Sequence, residues 1–166
     1  MVMSFEEQLS DRRAWSIGDG CSAARVLDLL STKTVFLMVR ELFYGTTRFD
    51  DFVERAGVSA PAVSRALKQL KAADVVETIA YQAPGSRARE EYRLTATGED
   101  LLPVFLALMQ WGDAHLQDGR PPLEFTEAGT GRGVRVRVTP DGVQETRPDD
   151  IEIRVNPAWR RGQTDQ

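Results

Sequence analysis

Apolar residues recur at helical spacing through the first two thirds of the chain and at alternate positions in the last third. Residues 4–14, SFEEQLSDRRA, predict a Ser4-capped helix with Glu6 and Glu7 in its first turn and Arg12 and Arg13 in its last. That charge order suits the helix dipole. Gly18 and Gly20 break the pattern, and Ser22 is the expected cap of AARVLDLL, whose apolar face is Val26, Leu27, Leu29 and Leu30. KTVFLMVRELFYG predicts a strongly apolar helix stopped at Gly45. Thr47 is the expected cap of RFDDFVERA, where Phe49, Phe52, Val53 and Ala56 share a face and Gly57 ends the helix. Ser59 then opens the helix of GVSAPAVSRALKQL, with Pro61 in its first turn. A short helix, a glycine turn and a second helix make a helix-turn-helix unit.

Beyond it, VVETIAYQ and REEYRLT are β-like runs on either side of the turn-prone APGSRA, which predicts a hairpin. From Thr97, which with Asp100 has the form of a cap, GEDLLPVFLALMQWGDAHLQ predicts one last long helix, with Pro103 early enough to be tolerated. Gly119, Pro121 and Pro122 mark a boundary. After them the period changes from helical to two: Val134, Val136 and Val138 alternate with Arg135, Arg137 and Thr139, and Asp141-Gly142 is a hairpin turn signal. Ile151, Ile153 and Val155 form another alternating run, and a frayed end is expected from Trp159. The expected fold is α+β: an N-terminal helical arm over 1–20, a mainly helical winged helix-turn-helix domain over 21–118 and a small C-terminal β appendage over 119–166.

The helix from Ser59 has two unlike faces. At about 100° per residue, Val63, Ala66, Leu67 and Leu70 cluster on one side, flanked by Ser59 and Asp74. Pro61, Arg65, Lys68 and Ala72 occupy the opposite pole, with Ser64 and Lys71 on one flank and Gln69 on the other, and no acid occurs from Ala60 to Ala73. The whole chain carries 21 basic and 25 acidic residues, a formal net charge of −4. That sum argues against a polybasic protein, but a phosphate-binding surface depends on local clustering, and the acids are kept off this helix.

A major groove admits one α-helix and is read by short polar side chains near its N-terminus and by Arg, Lys or Gln further along. The exposed set Ser59, Ala60, Pro61, Ser64, Arg65, Lys68 and Gln69 suits this, with Arg65 able to reach a guanine bidentately and Lys68 a phosphate. Thr47 and Arg48, just ahead of the unit, and Arg87 and Arg89 at the hairpin tip complete the candidate DNA contacts. The apolar residues of the last helix spread over roughly 220°, more than the arc of about 100° that one core needs, which predicts a partner subunit on the excess face.

Other classes are weaker fits. His115 is the only histidine and Cys21 the only cysteine, no metal-ligand spacing occurs, and GTGRG at 129–133 does not match a phosphate loop, so neither an enzyme nor a metal or other cofactor is expected. A single cysteine fits a reducing cytoplasm. No apolar run approaches the ~18 residues of a membrane span, and MVMSFEEQLSDRRAWS lacks the basic and apolar regions of a signal peptide. The alternative function on the same fold is a winged helix used as a protein-interaction module without specific DNA binding.

Residues 21–116 resemble the HxlR-type winged helix regulators of bacteria. The matching stretches are the cysteine opening CSAARVLDLL, then VRELFYGTTRFDDF, GVSAPAVSRALKQLKAADVVE, YRLTATGEDLLPV and ALMQWGDAHL, in the family's order and with near-family spacing. The resemblance implies a homodimeric DNA-binding transcriptional regulator, with repression of a palindromic operator as the expected mode. It places the helix from Ser59 in the major groove, the loop around Arg87 as wing and the terminal helices, 4–14 and 97–117, at the dimer interface. Cys21 matches a thiol that some members use to sense oxidants or electrophiles. Its place before a helix N-terminus with Arg25 one turn on suits that role. Thr34 stands where the family usually has Trp. The tail from Leu123 resembles an extension of one branch without its metal-like cysteines. A third reading, separate from the resemblance, adds a small-molecule effector between the terminal helices and the core, near Phe36, Phe43 and Trp111, against the plainer reading of these aromatics as core.

Overall fold

The computed structural model describes residues 7, 11, 13, 14, 16, 18–81, 89–117, 120–139 and 150–155. The expected helix over 4–14 falls largely outside these residues, as do Arg87 at the hairpin tip, the Asp141-Gly142 turn and the end from Trp159.

Five helices and a hairpin follow one another: α1 (Ser22–Leu29), α2 (Lys33–Phe43), α3 (Phe49–Ala56), α4 (Ala60–Ala72), β1 (Val76–Tyr81), β2 (Arg89–Leu94) and the single turn α5 (Ala96–Glu99). A long helix α6 (Leu102–Leu116) then leads to a second sheet made of β3 (Leu123–Glu127) and β4 (Ile151–Val155). Both sheets are two-stranded and antiparallel; β1 and β2 pair from Val76 with Leu94 to Tyr81 with Arg89. The fold is therefore α+β and mainly helical, with a hairpin behind a helix-turn-helix and an added strand pair.

The core is built where the periodicity puts it. Val35, Met38, Val39 and Leu42 of α2, Phe52 of α3, and Val63, Ala66, Leu67 and Leu70 of α4 are buried together with Val75 and Val76 at the start of the hairpin. Burying each such large aliphatic or aromatic side chain contributes about 1.5–3 kcal/mol. A charge sits in this interior: Glu41 is 3% exposed, accepts from Arg40 Nη2 at 2.6 Å and from Thr46 Oγ1 at 3.1 Å, and so has both carboxylate oxygens partnered. Thr46 N–H also donates to the Glu41 carbonyl, which fixes the turn that feeds α3.

Several boundaries differ from the sequence expectation. Cys21, not Ser22, is the N-cap residue of α1, and Arg48, not Thr47, is that of α3, because the Thr47 carbonyl accepts from Tyr92 N–H at 2.8 Å and belongs to the hairpin edge. Thr95, not Thr97, makes the cap after the hairpin, accepting from Gly98 N–H. That cap closes α5 alone, the chain breaks at Asp100 and Leu101, and Pro103 lies in the first turn of α6 rather than inside a longer helix. On α1 only Leu29 and Leu30 pack against the core, while Val26 and Leu27 are exposed.

The largest correction is in the tail. The alternating run Val134–Val138 is not a strand; β3 is formed by LEFTE instead, whose two apolar positions, Leu123 and Phe125, make too short a pattern to stand out. The chain turns sharply through Gly129 and Gly131, both at positive φ, so GTGRG is a reversal that returns Val134 N–H to the Phe125 carbonyl at 2.8 Å. Val136 then finds its partners on a side chain: its N–H donates to Gln110 Oε1 at 3.1 Å and its carbonyl accepts from Gln110 Nε2 at 3.3 Å. One glutamine of α6 thus takes the place of a neighbouring strand.

Candidate nucleic-acid interface

The helix-turn-helix is α3, the turn 57–59 and α4. Gly57 adopts the left-handed conformation, φ 62° and ψ 33°, that ends α3 and lets the chain reverse over three residues. Ser59 is the N-cap residue of α4; its carbonyl accepts from Ala62 and Val63, and its hydroxyl is not spent on a cap. The four buried residues of α4 hold one face on the core and thereby present the other outward. Ser59, Ala60, Pro61, Arg65 and Lys68 are exposed, and Ser64 is half-buried beside them. Among the described residues no hydrogen bond or ion pair engages Arg65 or Lys68, so both cations face solvent uncommitted.

Two polar side chains of α4 are committed elsewhere. Lys71 Nζ donates to Thr78 Oγ1 at 2.6 Å and ties the end of the helix to β1. Gln69 Nε2 donates to the Leu29 carbonyl at 2.7 Å, at the C-terminal end of α1. The structure therefore separates Gln69 from Arg65 and Lys68: its amide donor satisfies a helix-end carbonyl.

The hairpin stands beside this face. Arg48 and Glu91 form an isolated antiparallel bridge, and the Arg48 guanidinium lies 3.9 Å from the Glu91 carboxylate, which Arg93 also approaches at 3.5 Å. Both arginines are exposed and Glu91 is half-buried, so these pairs at the surface add little stability and chiefly orient the side chains. Thr47 is half-buried at the same edge, and Arg89 is exposed at the far end of β2. Tyr92 packs edge-on against Phe52, with ring centroids 6.0 Å apart, and seats the hairpin on α3. Burial, and to a lesser degree the Glu90 carboxylate, push its phenol pKa up.

The remaining candidates lie apart. Cys21 is half-exposed at the head of α1. Phe36 and Phe43, each half-buried, close on the buried Phe105, with centroids 6.1 and 5.4 Å away. Trp111 is 58% exposed and pairs with His115 at 5.0 Å. It projects from a different side of α6, so the three aromatics do not line one cavity.

A family model described as HxlR-like helix-turn-helix matches residues 29–120, more than half of the chain, and spans the two helices, the hairpin and α6. The chain belongs to the HxlR-like helix-turn-helix family. HxlR-like proteins are transcriptional regulators rather than enzymes, and DNA is the partner that membership implies. The chain is 34% identical over 108 residues to an uncharacterised HTH-type transcriptional regulator of Mycobacterium tuberculosis, Rv3095, covering 64% of this chain and 67% of that one. It is 33% identical over 101 residues to an HTH-type regulator of Synechocystis, covering 60% and 73%. Among solved structures it is similar to PA1607, a candidate transcription factor, with a TM-score of 0.64 and 29% identity over 76% of this chain and 87% of that one. It is also similar to the reduced form of the regulator YodB from B. subtilis, with a TM-score of 0.51 and 25% identity over 60% and 97%. The HxlR-like match ends near Arg120, so β3 and β4 lie beyond the family's common part. No helix among the described residues is long and apolar enough to cross a membrane.

Sequence reasoning missed the supports of the candidate interface. Glu41 shapes the turn that leads to Thr47 and Arg48, and Gln69 and Lys71 anchor α4 at two points. The available signals were an Arg-Glu pair inside an apolar helix and polar residues at the flanks, rather than the pole, of the α4 face.

Proposed function

We propose that this regulator binds double-stranded DNA sequence-specifically as a homodimer in the cytoplasm, with α4 in the major groove and the β1–β2 hairpin as wing. The observation that carries the reading is the outer face of α4: exposed, free of acids, and bearing two cations with no partner among the described residues. Arg65 reads a guanine, Lys68 meets a phosphate, and Ser59, Ala60, Pro61 and Ser64 lie against the bases near the helix start. Thr47 and Arg48 approach the backbone from the α3 side, and Arg87 and Arg89 reach it from the wing. Gln69 positions the helix and reads nothing. Two such helices related by a two-fold axis match a palindromic operator, and repression is the direct consequence of occupying promoter DNA.

The test is a salt titration with duplex from immediately upstream of the protein's own gene. Affinity is expected to fall steeply with salt. Arg65→Ala should cost about 1–3 kcal/mol and relax base preference at one position, whereas Lys68→Ala should weaken binding to all sequences and reduce the salt slope by about one. Binding that is weak, sequence-blind and indifferent to Arg65 would leave the fold as a protein-interaction module.

Control by a thiol-reactive signal is a second reading, favoured by one connection: Cys21 heads α1, and the far end of α1 is hydrogen-bonded to Gln69 of α4. Hydrogen peroxide should then reduce DNA affinity in the native protein and not in Cys21→Ser. An equal response in both removes the thiol from the account.

A further inference from the structure

A cleft of about 430 Å³ opens between α6 and the tail, walled by Leu106, Gln110 and Asp113 on the helix and by Phe125, Arg135 and Val136 opposite. Its size falls in the range of small-molecule sites. The Gln110 clamp on Val136 forms one wall and commits one donor and one acceptor of its side-chain amide. Asp113 differs: among the described residues its carboxylate has neither hydrogen bond nor ion pair, and burial pushes its pKa up. A second, smaller recess of about 40 Å³ adjoins the cleft, the two sharing Leu106 and Phe125, and is otherwise lined by side chains including Phe43, Tyr44, Phe105 and Ile151. There the Tyr44 hydroxyl is buried without a partner among the described residues. A buried polar group without a hydrogen bond is costly and rare in native structures, and here it stands beside a void.

We propose that this cleft binds a small amphipathic cation, with the protonated amine on the Asp113 carboxylate and an aromatic or aliphatic body on Leu106 and Phe125. Two acids, Asp113 and Glu124, face it against one base, Arg135; Glu124 and Arg135 are both exposed, which leaves the half-buried Asp113 as the charge within the cleft. The apolar surface next to an unpaired carboxylate selects a molecule with one charged end and one apolar end. A hydroxyl or ring acceptor at the apolar end would complete Tyr44. Of the three aromatics expected from the sequence, Phe43 borders the smaller recess, whereas Phe36 and Trp111 line neither cavity, and the site stands or falls independently of DNA binding.

The experiment is a titration of the full chain, without DNA, by 2-phenylethylamine, 2-phenylethanol and phenylacetate, followed by amide chemical shifts. The three probes share a ring and differ in charge, and each would be taken to about 10 mM, the range suited to fragments of this size. The expected result is that the amine shifts Gln110, Asp113, Phe125 and Val136 at the lowest concentration. Asp113→Asn should weaken the amine at least about tenfold and leave the alcohol unchanged. Preference for the anion, equal response to all three, shifts confined to other regions, or indifference to Asp113→Asn would each overturn the proposal. Tyr44→Phe, which removes an unsatisfied group, is expected to keep the protein folded with an unchanged or higher Tm.

Discussion

A methyl group added at Gly98 would lie 2.2 Å from the Val75 carbonyl oxygen and 2.9 Å from the Leu94 side chain. That carbonyl already accepts from Thr95 N–H and belongs to the root of the hairpin, so it cannot yield. Gly98→Ala should therefore destabilise the protein by about 1–3 kcal/mol, measured by urea unfolding, although alanine is the better helix former. Glu127 offers a milder case. Hydrogen bonds from Thr130 and then Arg132 hold its carboxyl below the usual glutamate range in the reversal that follows β3. A depressed folded-state pKa stabilises this turn above the unfolded pKa, and that contribution is lost as pH falls through the folded value. Carboxyl NMR should find the Glu127 midpoint below that of an ordinary glutamate, and Thr130→Ala should move it up. Gly45 and Gly57 could be read from sequence as stops, because a positive φ after an apolar run is a local requirement. Gly98 could not, since what forbids its side chain is the backbone of Val75, just ahead of β1 and distant in sequence.

Among elements, α4 was the most readable, because its buried residues follow one period and its acids are missing. What periodicity could not give was its attachment. Replacing Gln69 by Ala leaves the α1 end carbonyl without its donor and should cost about 1 kcal/mol, with faster amide exchange in α1 and no change of base preference in DNA. The tail shows the opposite imbalance. Val134–Val138 has the stronger alternating pattern, yet LEFTE is the strand, because the Gln110 side chain satisfies Val136 and frees that segment from a ladder. Alternation reports which side chains face inward, and it is silent on what the backbone pairs with. Thr95 won the cap from Thr97 for a similar reason: its hydroxyl bonds both the Gly98 amide and the Asp74 carbonyl, a partner outside its own segment.

At the scale of the molecule, α6 carries two opposite long sides. Leu106, Gln110 and Asp113 look toward the cleft, while Val104, Leu108, Trp111 and His115 line up on the other side, with Leu108 52% and Trp111 58% exposed. Leu27 of α1, 68% exposed, adds to the uncovered apolar surface. The excess arc of α6 was visible in the sequence, and the tail covers only part of it, through Phe125 against Phe105. A second subunit on the rest is the dimer of the functional reading. Leu108→Glu with Trp111→Glu should then sediment as a folded monomer with unchanged helical content, and lose operator affinity by at least about tenfold. The arrangement carries a further consequence. A straight helix of this kind is about 20 Å of stiff rod, so whatever repositions one side displaces the other. If subunit pairing and cleft occupancy both bear on that rod, thermodynamic linkage makes their influence reciprocal: the factor by which a cleft ligand changes self-association is the factor by which self-association changes the ligand's affinity. Protein concentration itself then acts as an effector, and dilution alone would retune the cleft.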